Sequence, residues 1–174
     1  MSTEAEKEPF YLLVAGCNCI FDYQEACKIM DLCVSHKKDS EIIVLTEKTK
    51  NKENVAEKWA REHGYECITK SVDHAKTGNI TFKRDRELHL LAQHQTQRAC
   101  LVFWDGWNKQ VADNFELAWE CQNQLAIYYT KGHTFIKQKE VPDLCDDMFE
   151  CEGFPRQCND CKRNEVKNDQ GISA

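Results

Sequence analysis

Residues 99–129 read ACLVFWDGWNKQVADNFELAWECQNQLAIYY, and they are the most informative part of the chain. An apolar run, residues 99–104, ends in the turn Asp105-Gly106-Trp107-Asn108. A pattern typical of an amphipathic helix follows from Val111, and a second apolar run covers residues 125–129. Strand, turn, helix and strand in this order predict a βαβ unit. Ligands bind at the turn after the first strand of such units, because the next helix presents unpaired N–H groups there.

The same alternation extends towards the N-terminus. We predict strands over residues 10–15, 42–45, 65–69, 99–104 and 125–129. We predict helices after an Asp22-x-x-Glu25 capping box and over residues 54–63, 83–95 and 111–122. Strands that alternate with helices predict an α/β fold, a Rossmann-like three-layer domain with a mostly parallel five-stranded sheet. In the last helix, Phe115, Ala118 and Trp119 are predicted to face the core.

Composition and charge suggest one domain with flanking segments. The chain has 174 residues, 41% of them hydrophobic, which is enough for one core. Residues 140–174 hold 9 acidic and 4 basic side chains, whereas residues 11–139 hold 17 and 18. We therefore expect a flexible acidic N-terminus (1–8), a domain (9–139) and an acidic Cys-rich tail (140–174) whose end is disordered. The nearly neutral body argues against an extended nucleic-acid surface.

Targeting signals are not evident in the sequence. No apolar run approaches the roughly 20 residues that span a bilayer. Residues 1–9 are polar and acidic, which is unlike a signal peptide. We therefore expect a soluble cytoplasmic protein without a membrane partner.

The chain contains eleven cysteines, in two groups. Seven are scattered through predicted strands and helices, where a small buried thiol is the simplest interpretation: Cys17, Cys19, Cys27, Cys33, Cys67, Cys100 and Cys121. Four lie in the tail with the spacing C-x5-C-x6-C-x2-C: Cys145, Cys151, Cys158 and Cys161. The C-x2-C pair is typical of a structural zinc site, and free thiols or local disulfides are the alternatives.

Three loops are expected to converge at the carboxyl edge of the sheet: residues 16–21, 46–53 and 105–110. The start of the helix at residues 83–87 is expected nearby. These segments carry the cations that a phosphate would need: Lys48, Lys50, Lys52, Lys83, Arg84, Arg86 and Lys109. Arg84 and Arg86 stand where a helix start disfavours cations, which favours a ligand role for one of them.

Each of these features also has a simpler interpretation. The three lysines of residues 48–52 are typical of a solvated loop. Trp104 ends a strand and is expected in the core rather than as a stacking surface. Trp107 follows Gly106 in a turn, where packing explains a large ring less easily.

Four elements, in order and spacing, resemble the SLOG superfamily over about residues 10–129, in particular its YspA-like branch, which is related to DprA and to the LOG-type phosphoribohydrolases. The resemblance rests on a first turn Ala15-Gly16-Cys17-Asn18, a helix Val55-Ala56-Glu57-Lys58-Trp59-Ala60, an Arg84-Asp85-Arg86-Glu87 element and Phe103-Trp104-Asp105-Gly106 before a helix. It implies a nucleotide-binding fold and, since such proteins often pair, a homodimer.

The chain departs from the family pattern at its phosphate loops. Glu47, Lys48 and Asn51 stand where the family has glycines, so side chains block close approach of a phosphate to the backbone. Gln110-Val111 replaces a Gly-Thr step, and Asn18 replaces an arginine. Asn114 stands where LOG-type enzymes have a catalytic glutamate, and an amide cannot act as a carboxylate.

These departures favour binding or sensing of a nucleotide or nucleotide-derived ligand over efficient catalysis. The candidate ligand-binding residues are Gly16, Asn18, Lys48, Arg84, Arg86, Asp105, Gly106, Trp107 and Lys109. One alternative is a nucleotide N-glycosidic hydrolase, in which Glu116 or Asp105 supplies the carboxylate and Arg86 assists. Another is a protein interaction module with a vestigial pocket. Apart from a structural zinc ion, the sequence suggests no cofactor.

Overall fold

The computed structural model describes residues 7–136. Its strands are β1 (Phe10–Ala15), β2 (Ile42–Glu47), β3 (Glu66–Lys70), β4 (Gln97–Trp104), β5 (Leu125–Tyr129) and β6 (Thr134–Ile136). Its helices are α1 (Tyr23–Val34), α2 (Val55–His63), α3 (Ile80–Gln93) and α4 (Lys109–Glu120), and a short 3-10 turn (Cys17–Cys19) follows β1.

The strands form one sheet in the order β3-β2-β1-β4-β5-β6. The first five strands in this order pair in parallel, and β6 pairs antiparallel with β5. The predicted Rossmann-like α/β fold is therefore confirmed, with six strands instead of five. The prediction omitted β6 because its three residues are too few for an alternating pattern to register.

Two apolar clusters lie on opposite faces of the sheet. On one face, α1 and α2 bury Met30 and Trp59 against alternate residues of β1 and β2. On the other face, α3 and α4 bury Leu88 and Phe115 against the remaining alternate residues. Because β1 is covered on both sides, its sequence Phe10–Ala15 is a nearly continuous apolar run rather than an alternating one.

Two predictions about the helices were wrong. Trp119 was expected to face the core, but 78% of its surface is exposed, while Phe115 and Ala118 are buried. Helix α3 begins at Ile80 rather than at Lys83, because the side chain of Asn79 accepts the Phe82 N–H and caps the helix.

Several expectations lie outside the described residues. These are the four tail cysteines, the end of the domain at residue 139 and most of the N-terminal segment. Within residues 7–136, no helix is long and apolar enough to cross a membrane.

Candidate functional site

The carboxyl edge of the sheet brings together the turns that follow β1 and β4. The chain runs from β1 to β2 on one side and from β4 to β5 on the other, so β1 and β4 flank the point where the connections diverge. In open α/β sheets, ligands bind in the crevice at this point. The candidate site therefore lies between the turn at Gly16 and the turn at Asp105.

Gly16 holds the first turn against β4. Its φ is +77°, and a Cβ at this position would overlap the Phe103 carbonyl oxygen and crowd the Val111 side chain. Only glycine permits both the left-handed backbone and this approach. The absence of a side chain therefore lets the first turn pack directly against the end of β4 and the start of α4.

The second turn is organised by Asp105. Its Oδ1 accepts the N–H groups of Trp107 at 2.8 Å and Asn108 at 2.9 Å. The side chain of Asn108 then caps α4 by accepting the Val111 N–H. This arrangement leaves 37% of Trp107 exposed. The two turns are neighbours, since burial and then the charge of Asp105 raise the pKa of the Cys19 thiol to about 12.

Trp104, unlike Trp107, belongs to the core. It is 4% exposed, stacks edge-on against Phe115 at 5.3 Å, and donates its indole N–H to the Asn108 carbonyl. The sequence-based preference for a core position is confirmed. Trp107 on the turn after β4 is consequently a candidate aromatic contact for a ligand, as is Phe21, which is 68% exposed between β1 and α1.

Arg84 is engaged within the protein. Its guanidinium lies 3.1 Å from a Glu47 carboxylate oxygen and 2.6 Å from an Asp85 oxygen, and all three side chains are largely buried. Burial raises the pKa of both carboxyls, while the charge of Arg84 opposes this. Because α3 starts at Ile80, Arg84 lies in its second turn, so its position is explained by these carboxylates rather than by a ligand.

The remaining candidates fall into two groups. Lys48 forms an ion pair with Glu57. Arg86 is exposed, and its charge lowers the pKa of the Cys121 thiol, so Arg86 lies near the end of α4. That end is about 20 Å from the Asp105 turn along the helix axis, so Arg86 is remote from the candidate site. By contrast, Asn18 is exposed on the first turn, and Lys109 begins α4 without an ion pair to any residue from 7 to 136.

A buried polar network behind the site was missed by the sequence analysis. The Asn114 amide donates to Asp85 at 3.2 Å, and its oxygen accepts His89 Nε2–H at 3.0 Å. His89 Nδ1 accepts from Asn123, whose oxygen in turn accepts from Arg98 at 2.8 Å. A usable signal was present, because Asp85 and His89 share the spacing of the inward-facing Leu88 and Ala92 on α3.

The hydrolase alternative has little support in this geometry. Asn114 is committed to Asp85 and His89, and Glu116 is exposed. Asp105 shapes its own turn. Asp113 is buried, and burial followed by the charge of Asp85 raises its pKa to about 6, which was not foreseen. Among residues 7–136, no group of three or more His, Cys, Asp or Glu could hold a metal ion.

Cavities are small at the candidate site. A cavity of about 10 Å³ lies beside the start of α1, between Asp22, Glu25 and Tyr128, and holds one water molecule at most. A larger one, about 230 Å³, is at the opposite edge, lined by Asp31, Lys37 and Tyr65 among others. Trp107 lines neither of these two cavities.

Comparison with protein-family models, with curated proteins and with solved structures gives no match to this chain.

Proposed function

We propose that the carboxyl edge of the sheet binds a nucleotide-derived ligand, in the manner of a SLOG-like protein, and that it does so without efficient catalysis. One observation supports the proposal: the turns at Gly16 and at Asp105 adjoin where the connections from β1 to β2 and from β4 to β5 diverge. This is the place where open α/β sheets bind ligands.

Three side chains supply the contacts. Trp107 has 37% of its surface exposed, and an indole ring can stack with a purine or pyrimidine ring. The Asn18 amide on the neighbouring turn can both donate and accept hydrogen bonds. Lys109, at the start of α4, supplies a cation. Together these groups suit a flat heterocycle with a polar substituent.

We expect binding without turnover because the acidic groups near the site are engaged elsewhere in the protein. Cleavage of an N-glycosidic bond requires a carboxylate or an acid positioned at the ligand. Asn114 has no ionisable group, and Asp85 is bound to Arg84 and Asn114 in the interior. The geometry therefore favours a sensor or carrier over a hydrolase.

Substitution of Trp107 tests the site. The full chain is first screened by thermal shift against nucleosides and nucleotides, because a bound ligand raises the melting temperature. For a ligand that binds, Trp107→Ala should weaken binding by about 1–3 kcal/mol in a calorimetric titration, the usual contribution of stacking. Trp119→Ala is the matched control, since it removes an exposed indole at the far end of α4.

Equal affinities for the wild type and Trp107→Ala would reject the stacking role. Absence of binding by every nucleoside and nucleotide would reject the proposal itself. The same samples, analysed for free base by chromatography, test the absence of catalysis. We expect the ligand to remain intact, and release of base would favour the hydrolase.

Two further expectations accompany this proposal. The resemblance implies a homodimer, which sedimentation of the full chain would reveal. A zinc ion held by Cys145, Cys151, Cys158 and Cys161 would appear as one equivalent of metal in the purified protein, lost on treatment with a chelator.

A further inference from the structure

The geometry points to a nucleoside, recognised through its base and ribose, as the ligand of this edge, with a terminal phosphate disfavoured. This inference rests on the proposed function and narrows its ligand class. It is drawn from three features of the same edge: the helix N-termini, the cations and the carboxylates.

Within residues 7–136, each of the four α-helices has its N-terminus capped by a side chain of the protein. Asp22 accepts the N–H groups of Gln24 and Glu25 at α1, and Asn54 and Glu57 form a reciprocal capping box at α2. Asn79 caps α3 and Asn108 caps α4. Phosphates bind helix N-termini through unpaired N–H groups and the positive end of the helix dipole. Here each cap occupies an N–H group that such a phosphate would use, and at α1 and α2 the cap includes a carboxylate.

Arg84, whose guanidinium could bind a phosphate, is neutralised by carboxylates of the protein. Arg84 contacts both Glu47 and Asp85, and these three side chains are buried. If Arg84 turned to a phosphate, it would leave buried carboxylates without a counter-ion, which is strongly unfavourable. Lys48 is held by Glu57. Arg84 and Lys48 are thus engaged within the protein, which leaves Lys109 as the cation of the two turns.

Carboxylates stand beside both turns. Asp22 and Glu25 lie at the start of α1, after the turn at Gly16, and Asp105 follows β4, whereas Glu47 at the end of β2 is paired with Arg84. Their negative charges repel a phosphate dianion. Carboxylates are, however, good acceptors for ribose hydroxyls and for the amino groups of bases, as in dinucleotide sites that bind ribose through an acidic residue. The edge is therefore suited to a neutral nucleoside.

Paired titrations test this inference. Adenosine, guanosine, cytidine and uridine are each titrated into the full-length protein beside their 5′-monophosphates, at low and at high salt. We expect a nucleoside to bind at least about five-fold more tightly than its own monophosphate at low salt. The ratio should shrink at high salt, because screening weakens the repulsion.

Asp22→Asn identifies the source of the discrimination. Asparagine caps helices as well as aspartate does, so α1 is retained while one negative charge is removed. Binding of the monophosphate should improve by about two-fold, and binding of the nucleoside should not change. Glu66→Gln is the matched control, because it removes an exposed carboxylate at the start of β3, on the opposite edge.

The outcomes separate the two proposals. A monophosphate that binds as tightly as its nucleoside, or more tightly, overturns the inference and leaves the proposed function standing. If no nucleoside and no monophosphate binds, the proposed function fails. A nucleoside preference that persists unchanged at high salt and in Asp22→Asn overturns the electrostatic origin argued here.

Discussion

At the scale of single residues, Gly16 shows how a motif residue serves the fold. A glycine after the first strand suggests a loop that admits a phosphate. In this protein the missing side chain makes room for the Phe103 carbonyl group and for Val111 instead. Gly16 thereby fixes the distance between the two turns of the candidate site.

Substitution of Gly16 measures this packing. Gly16→Ala should lower the free energy of unfolding by at least about 2 kcal/mol, because it adds steric overlap to backbone strain. Gly64→Ala is the control, since Gly64 has a similar φ of +71° but no atom within 4 Å of the added Cβ. Its cost should be about 1 kcal/mol, from backbone strain alone. Chemical denaturation provides both values, and equal losses would refute the packing role of Gly16.

At the scale of elements, α4 carries both the core and the candidate site. Its inner face buries Val111, Phe115 and Ala118, and its first residue follows the turn that exposes Trp107. Trp119 is four residues after the buried Phe115, so the helical spacing predicts that it faces inward. It lies in the last turn of α4, however, and 78% of its surface is exposed there.

Substitutions along α4 distinguish its two faces. Phe115→Ala should destabilise the protein by about 3–4 kcal/mol, because it removes a buried ring packed on Trp104. Trp119→Ala should change stability by less than about 0.5 kcal/mol, as is usual for an exposed position. Thermal or chemical unfolding of the two variants measures the difference. A large loss for Trp119→Ala would mean that its indole is covered, for example by a second copy of the chain.

At the scale of the whole molecule, one chain of hydrogen bonds connects the two edges of the sheet. It begins with Glu47 and Arg84 at the carboxyl edge and passes through Asn114 and His89. It ends with Arg98 near the start of β4. Among residues 7–136, no buried side-chain nitrogen or oxygen atom lacks a hydrogen-bond partner. The side chains of this network are hydrogen-bonded to one another, so the loss of one of them leaves buried polar groups of its neighbours without a partner.

The pH dependence of stability should report on this network. Burial lowers the pKa of His89 from an ordinary 6.5 to about 4. Between pH 6.5 and pH 4, His89 binds a proton in the unfolded chain but not in the folded chain. The contribution of His89 to the free energy of unfolding is therefore fully present above pH 6.5 and is lost as the pH falls towards 4. The loss amounts to roughly 3 kcal/mol. The buried Asp113 acts in the opposite direction, because its pKa is raised to about 6.

A comparison of variants isolates the contribution of His89. His89→Gln should be less stable than the wild type at neutral pH, and its stability should fall less between pH 6.5 and 4. His74→Gln serves as the control, because His74 is exposed and lies outside the network. Urea denaturation at several pH values provides the free energies. A wild-type pH profile for His89→Gln would show that the imidazole does not titrate as proposed.

The predicted fold was confirmed because it depends on patterns that are local in sequence. The bounds of β1 and β5 were predicted correctly, and the three helices with predicted bounds begin and end within three residues of them. The prediction failed in two places. The position of β6 depends on its pairing with β5, and the start of α3 depends on a local cap by Asn79 that the prediction did not use.

The amino-acid sequence was sufficient to predict the α/β class, the parallel sheet and the edge at which the two turns meet. These features depend on apolar periodicity and turn residues, which are patterns of residues close together in the sequence. The sequence was not sufficient to predict which charged side chains at that edge pair with one another. Arg84 is separated by 37 residues from Glu47, and Asn114 by 29 from Asp85. Folding alone brings these groups together and removes them from water, so that Arg84, a candidate phosphate ligand in the sequence, is paired with two buried carboxylates.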